Sequence, residues 1–399
     1  MSKHLLSVLV TTVFGVMITA VPIQTQPEYA RDDYEKPRVC QTCHDTNIKL
    51  TSQWRKSMLS YAWIDPLFQH SYRQAGEDTA GKTDLFCARC HSPISSVTDE
   101  MPPPMDVAKY GVSCDFCHTV SKATGIGNGA YVSTPGKTKR GQIPDAWSPH
   151  HRTAYADLFT RSEFCGMCHN VFDPDDPSFI EQATYSEWKE SSYRKQGMQC
   201  QHCMMNTTEG VFGASEAVQG PYRWVVFEHG FLGGHWEENL KKAALLCIQT
   251  NGSEVSRSDT VDISVKVANV GCGHMLPTGR SDLREVWLEG RALDAGGNEV
   301  YADRRAYRTV FGDAEGNPVG HRFWLAKQVL SDYRIAPNEI KTERFSFAVP
   351  ENVEGPITLE AKLLYRLASQ ELADAAKAGT LPIITMTEAK ETITVLEGH

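Results

Sequence analysis

Two cysteines three positions apart, followed at once by histidine, occur four times in this chain. The sets are Cys40, Cys43 and His44; Cys87, Cys90 and His91; Cys114, Cys117 and His118; and Cys165, Cys168 and His169. C-x-x-C-H is the attachment signature of a c-type haem. The two thiols form thioethers with the porphyrin vinyl groups, and the adjoining histidine meets the iron as proximal ligand. A lone C-x-x-C would suit zinc or a redox dithiol equally well. Zinc takes tetrahedral Cys and His sets, and two C-x-x-C pairs could share one ion, but zinc gives no reason for a histidine after every second cysteine. Four full repeats therefore predict four covalent haems.

Each low-spin haem iron needs a second strong ligand, usually imidazole or a methionine thioether. Outside the motifs and the N-terminal apolar run, the available histidines are His70, His150, His151, His202, His229, His235, His274, His321 and His399. A lone histidine is more often a surface or core imidazole, but four irons raise the expectation of ligation. Local context ranks four as candidate distal ligands. His151 follows Ser148-Pro149 just before the fourth motif. His229 and His235 bracket Phe231-Leu232-Gly233-Gly234, where backbone can approach a flat group closely. His274 stands in Gly271-Cys272-Gly273-His274, ahead of Pro277.

One further cysteine pair breaks the pattern: Cys200-Gln201-His202-Cys203-Met204. Three readings stand side by side. The site holds no haem and its cysteines are thiols or a disulfide; it holds a haem with an unusual ligand such as Met204; or it holds a reactive five-coordinate haem. Met205 doubles the thioether but serves equally as packing.

The elements that must position these groups divide the chain. Lys3 and His4 precede an apolar run, Leu5 to Val21, too short to span a bilayer, with small residues before a cleavage point after Ala20. Residues 1–20 read as a signal peptide, so an oxidising destination, the periplasm or the outer cell surface, is expected. Haem is joined to cytochromes c outside the cytoplasm, so export and the motifs agree. The length of 399 residues predicts two domains, and 22% charged residues with net charge −9 mark a mildly acidic soluble protein. No basic run suggests nucleic acid, and no second apolar stretch could cross a membrane.

The C-x-x-C pairs end at Cys203, which places a multihaem domain over 21–250 and a second domain over 251–399. The first is mainly helical or irregular and rich in turn formers. Helices are expected from Thr51 or Ser52 through Leu59, over Tyr185–Tyr193, and over Glu237–Leu246 as a joint between the halves. After Thr250 the apolar period becomes two: Val261, Ile263, Val265 and Val267, then Val286–Leu288, Phe345–Val349, Ile357–Tyr365 and Ile393–Val395. Short alternating runs punctuated by turns predict an antiparallel, immunoglobulin-like β-sandwich, with a short helix around Ser369–Ala378. The class is α+β overall. Cys247 and Cys272 stand apart from the motifs and are expected to pair as a disulfide between the joining helix and the sandwich.

Several stretches resemble exported multihaem cytochromes akin to the tetrahaem partner of hydroxylamine oxidoreductase, often with a C-terminal β-sandwich. These are Gly111-Val112-Ser113-Cys114-Asp115-Phe116-Cys117-His118, Glu163–Asn170, Thr184-Tyr185-Ser186-Glu187-Trp188, His229–His235 and Gly273–Gly279. The resemblance implies electron transfer through closely spaced haems and adds weight to His151, His229, His235 and His274 as ligands. The chain departs from the group at Cys200–Met204, where a fifth C-x-x-C-H would be expected.

No nucleophile–base grouping or phosphate-binding loop is present, so the function classes are three. An electron carrier between redox-partner proteins needs an axial partner for every iron, which the histidine count supplies. A reductase of a small nitrogen or sulfur oxyanion needs one open haem site. A surface or filament electron-conduit subunit would use the sandwich for assembly.

Overall fold

The computed structural model describes residues 29–46, 48–212 and 222–396. The expected signal segment and His399 lie outside the described residues. The first half is a succession of short helices joined by turns. They are α1 (Pro37–His44), α2 (Leu50–Arg55), α3 (Met58–Tyr61), α4 (Pro66–Thr79), α5 (Asp84–His91), α6 (Pro93–Val97), α7 (Met105–Ala108), α8 (Cys114–Thr119) and α9 (Glu163–Gly166). Further on come α10 (Thr184–Glu190), α11 (Ser192–Lys195) and α12 (Cys200–Met204). Four two-stranded pairings lie among them: β1 (Val120–Ala123) with β2 (Tyr131–Ser133), β3 (Thr138–Gly141) with β4 (Arg152–Tyr155), β5 (Val171–Phe172) with β6 (Ile180–Gln182), and β7 (Thr207–Phe212) with β8 (Tyr222–Phe227). Only α4, with 14 residues, is long enough to hold its shape by local hydrogen bonds to any extent. The others owe their shape to caps and packing. Ser57 caps α3 by accepting from the Ser60 amide at 3.2 Å, Asp65 caps α4 by accepting from the Phe68 amide at 2.8 Å, and Ser113 caps α8 by accepting from the Phe116 amide at 3.2 Å.

Helix α13 (Glu237–Lys242) leads into the second half. It is shorter than the periodicity predicts, because Ala244–Thr250 is not its last turns but strand β9, which pairs with β11 (Thr260–Asn269). Small, aliphatic Ala244, Leu246 and Ile248 fit the inward side of an alternating strand as well as a helical stripe, and the sheet prevails. Gly271 secures the joint. A Cβ there would sit 2.0 Å from the Lys242 carbonyl oxygen, so the strand end and the helix end touch through backbone alone.

The strands form two facing sheets. One is ordered β16 (Ile340–Ala348), β11, β9; the other is β10 (Glu254–Ser256), β18 (Ile384–Leu396), β17 (Ile357–Arg366), β12 (Glu285–Leu293), β13 (Glu299–Tyr307). Pairing is antiparallel except for β10 against β18, which is parallel. A hairpin of β14 (Thr309–Gly312) and β15 (Gln328–Asp332) stands beside them, and α14 (Gln370–Ala375) is capped by Ser369. The predicted alternation holds in β11: Val261, Ile263, Val265 and Val267 are buried and meet Leu288, Phe345, Leu359 and Leu363 in one core.

Cys247 and Cys272 do not pair; both are free thiols. Cys247 falls on the outward, exposed side of β9, whereas Cys272 packs against the sandwich core, so the two face opposite ways. Ionic contacts tie the halves together instead. Arg334 Nη1 lies 2.5 Å from Glu187 Oε1, and Lys327 Nζ lies 2.5 Å from Asp173 Oδ2.

Candidate functional site

In each motif the two cysteines stand at i and i+3, so a helical turn puts both thiols on one face and carries the histidine beside them. The helices α1, α5 and α8, and α9 with the turn that continues it through His169, aim those faces at a common cavity of about 1620 Å³. That exceeds the roughly 300–1,000 Å³ of a single small-molecule site, and its lining is mostly apolar, as several large flat groups would need. All eight motif cysteines line it, with His44, His91, His118 and His169. So do the four distal candidates His151, His229, His235 and His274, and also Cys200, Cys203 and Met204. His70, His202 and His321 do not.

The imidazoles are set as ligands should be. His91 Nδ1 donates to the Ala62 carbonyl at 2.6 Å and His118 Nδ1 to the Arg140 carbonyl at 2.6 Å. Among the distal candidates, Nδ1 of His151 donates to the Arg152 carbonyl at 3.2 Å, that of His229 to Phe227 at 3.1 Å and that of His274 to Met275 at 2.9 Å. A carbonyl only accepts, so each bond fixes the proton on Nδ1 and leaves Nε2 with a free lone pair. Burial pushes His91 and His229 down to about 4 and lowers His118, His151, His169 and His235, which keeps the rings in the neutral, ligating form.

Two motif histidines face a distal candidate at a meaningful distance. The ring centroids of His44 and His151 are 6.4 Å apart, and those of His118 and His229 are 6.2 Å apart, with ring planes 24° and 27° from parallel. Two imidazoles binding one metal from opposite sides, each nitrogen about 2.0 Å from it, would have centroids roughly 6.3 Å apart. The distance alone does not make a ligand pair: His70 and His321 lie 6.1 Å apart, but outside the cavity, and His321 spends Nε2 on Gln74 Oε1 at 2.9 Å. His91 is held from its face by Phe68, 3.7 Å away and 8° from parallel. His235 and His274 line the cavity without either ring facing a motif histidine in this way. The residues present therefore fit covalently held haem: paired thiols, oriented neutral imidazoles and an apolar cavity large enough for several macrocycles.

The motifs touch out of sequence order. The Cys40 thiol is within hydrogen-bonding reach of Cys114, and Cys90 of Cys168. The pKa values of Cys165 and Cys168 are raised mainly by their thiol neighbours, Cys200 and Cys90, and by burial, and Cys117 lies near enough to both to add a smaller electrostatic push. Motif one thus abuts motif three, motif two abuts motif four, and motif three lies near motif four. Gly166, inside the fourth motif, lets α10 pack closely against it: a Cβ there would meet the Tyr185 ring at 2.5 Å. Asp115, inside the third, bonds the Glu35 amide at 2.8 Å ahead of α1 and pairs with Lys139.

Sequence reasoning did not single out the groups that hold these ligands. The carbonyls of Ala62 and Arg140 carry no side-chain signal. Glu187, on α10, accepts from the Met275 amide at 3.1 Å and from Thr278 Oγ1 at 2.5 Å, so it pins the segment bearing His274. Glu181, on β6, is buried on the cavity wall with Oε2 unpartnered. Burial, and secondarily Asp173, pushes its pKa up to about 8. A carboxyl raised in the folded state contributes stability below its ordinary pKa near 4.5, and that contribution is lost as pH rises through about 8. Glu181→Gln should remove the dependence. Between about pH 5 and about pH 8 the wild type should lose on the order of 3 kcal/mol more stability than the variant. Denaturant melts of both proteins at the two pH values check this, and equal losses would contradict it.

Residues 39–119 match the family described as cytochrome c554 and c-prime. No curated protein matches the chain. Among solved structures, the chain is similar to a penta-heme cytochrome c552 from Thermochromatium tepidum, with 20% identity and a TM-score of 0.69, over 90% of this chain and 99% of that one. The CARDB domain of the PF1109 protein from Pyrococcus furiosus also aligns, at 12% identity and a TM-score of 0.21, over 38% of this chain and 87% of that one. The fold is that of a multihaem c-type cytochrome followed by a β-sandwich.

Proposed function

We propose that this chain is an exported multihaem c-type cytochrome that carries single electrons between redox-partner proteins. The observation that carries the reading is the convergence of four C-x-x-C-H motifs on one apolar cavity, with Cys40 neighbouring Cys114 and Cys90 neighbouring Cys168. Cys40 and Cys43, Cys87 and Cys90, Cys114 and Cys117, and Cys165 and Cys168 would each hold one haem c, with His44, His91, His118 and His169 proximal. His151 and His229 are the distal partners of His44 and His118. His235 and His274 serve the remaining pair, His91 and His169. Bound there, each haem supplies a one-electron iron couple, and the axial ligands and their hydrogen bonds tune its potential.

The chain's own part is to hold the ligands still and keep water off them. Backbone carbonyls fix the imidazole tautomers, Phe68 braces His91, and the sandwich delivers His274 through the loop that Glu187 grips. Among the described residues no helix is long and apolar enough to cross a membrane. A net charge of −9 suits brief docking with partners that present positive patches.

Carbon monoxide tests the reading against an open-site reductase. In a Cys200→Ser, Cys203→Ser variant, which leaves only the four C-x-x-C-H sites, the fully reduced protein should show no spectral change under carbon monoxide, because each of those four irons is six-coordinate. Carbon monoxide binding to one haem would favour the reductase and sink the carrier.

A further inference from the structure

The geometry points to a fifth covalent haem on Cys200 and Cys203, with the Met204 thioether in the place that histidine holds in the other four motifs. The inference rests on the haem-binding reading above and extends it to a site without the signature histidine. Three observations carry it. First, Cys200–Met204 is itself a short helix, α12, so its thiols share a face as those of the other motifs do, and Cys200, Cys203 and Met204 all line the common cavity. Second, the helix is seated and not loose. The Cys200 amide donates to Ser162 Oγ at 2.9 Å, Gln199 Oε1 accepts from the Ser162 amide at 2.8 Å, and buried Gln201 donates to the Phe159 and Arg161 carbonyls at 3.1 and 2.9 Å.

Third, the site repeats the contact that joins the other motifs. Cys40 and Cys114 are both first cysteines of their motifs, and Cys90 and Cys168 are both second cysteines. Cys165 and Cys200, again two first cysteines, are likewise within hydrogen-bonding reach. A structural disulfide between Cys200 and Cys203 would not call for that relation to motif four. His202, the other candidate ligand, is turned away: it is exposed, and its Nδ1 accepts from the Gln199 amide at 2.9 Å, closing its own helix.

Attachment needs no oxidant. Each thiol adds across a vinyl group, sulfur bonding one carbon and the thiol hydrogen going to the other, with no net change in oxidation state. Thioether ligation is an accepted mode for c-type haem iron.

Intact mass of the mature protein from a cytochrome-maturing host should correspond to five haems, and the digest peptide containing Cys200 and Cys203 should carry one. The Cys200→Ser, Cys203→Ser double variant should carry four. The oxidised wild type should show the near-infrared sulfur-to-iron charge-transfer band of a methionine-ligated haem. Met204→His should keep five haems and lose that band. A wild-type mass of four haems, with the Cys200–Cys203 peptide unmodified, overturns the inference and leaves the four-haem reading intact. A band that survives Met204→His overturns the role of Met204. A protein without any haem overturns the underlying reading itself.

Discussion

Glu187→Ala is expected to destabilise the protein by about 3–5 kcal/mol, the usual penalty for removing one partner of a buried ion pair. Glu187 and Arg334 are largely shielded from solvent, with side-chain exposures of 9% and 12%. Arg334 also pairs with Asp332 at 2.7 Å, so the guanidinium keeps one carboxylate but loses the buried one. Two further donors, the Met275 amide and the Thr278 hydroxyl, lose their acceptor at once. Both stand in the segment just after His274, so the defect should also register at iron. One set of low-spin signals in the oxidised protein should broaden or give way to a high-spin signal. Glu187→Gln, which keeps an acceptor while removing charge, should lose less stability and keep the low-spin set. Denaturant melts with electron paramagnetic resonance on both variants test this. A Glu187→Ala variant as stable as wild type would show that the clamp contributes nothing.

Cys114→Ala combined with Cys117→Ala should remove one haem and disable long-range electron passage, a larger effect than the same change in motif one or motif two. Motif three sits between motif one, through Cys114 and Cys40, and motif four, through Cys117. Its loss isolates the first haem from the rest. Motif two lies at the far end, next to motif four alone, so the corresponding Cys87→Ala, Cys90→Ala variant should keep the link between motifs one, three and four. The haem count by pyridine haemochrome assay should fall by one in either case. In stopped-flow reduction, only the motif-three variant should show one haem reduced out of step with the others. Uniform reduction of all remaining haems in that variant would disprove the central position.

Much of this arrangement was legible in the residues, and the parts that were not have physical causes. Alternation exposed β11, β12, β16 and β17, because each buries one face against a core that side chains alone must fill. At the short apolar stretch Ala244–Leu246 the helical period and the strand period both fit, since the two inward residues Ala244 and Leu246 suit either, and the residues alone favour the helix. In the first half, periodicity says little: the cavity at its centre is to be filled by cofactor, so the chain has no continuous apolar face to display. The cysteines and proximal histidines are side chains with fixed spacing and were plain. The pairing of His44 with His151 and of His118 with His229 depends on turns between them. The carbonyls of Ala62 and Arg140 that orient two of the rings could stand on any residue type. The expected Cys247–Cys272 bond failed because strand register, which sends Cys247 outward, decides direction where composition cannot.

The out-of-order contacts among the motifs bear on how such a chain comes into being. Glu35 and Asp115, which tie the first helix to the third motif, are 80 residues apart. The second motif must likewise wait for the fourth. A polypeptide emerging N-terminus first can complete none of these junctions until most of its first half has appeared, and few of its short helices can persist alone. Slow, non-local assembly of this kind carries a cost in speed and in exposed apolar surface. If the chain is exported as proposed, threaded as an extended strand before it meets its cofactor, the same delay would be useful, because nothing tight enough to jam the passage would form too early.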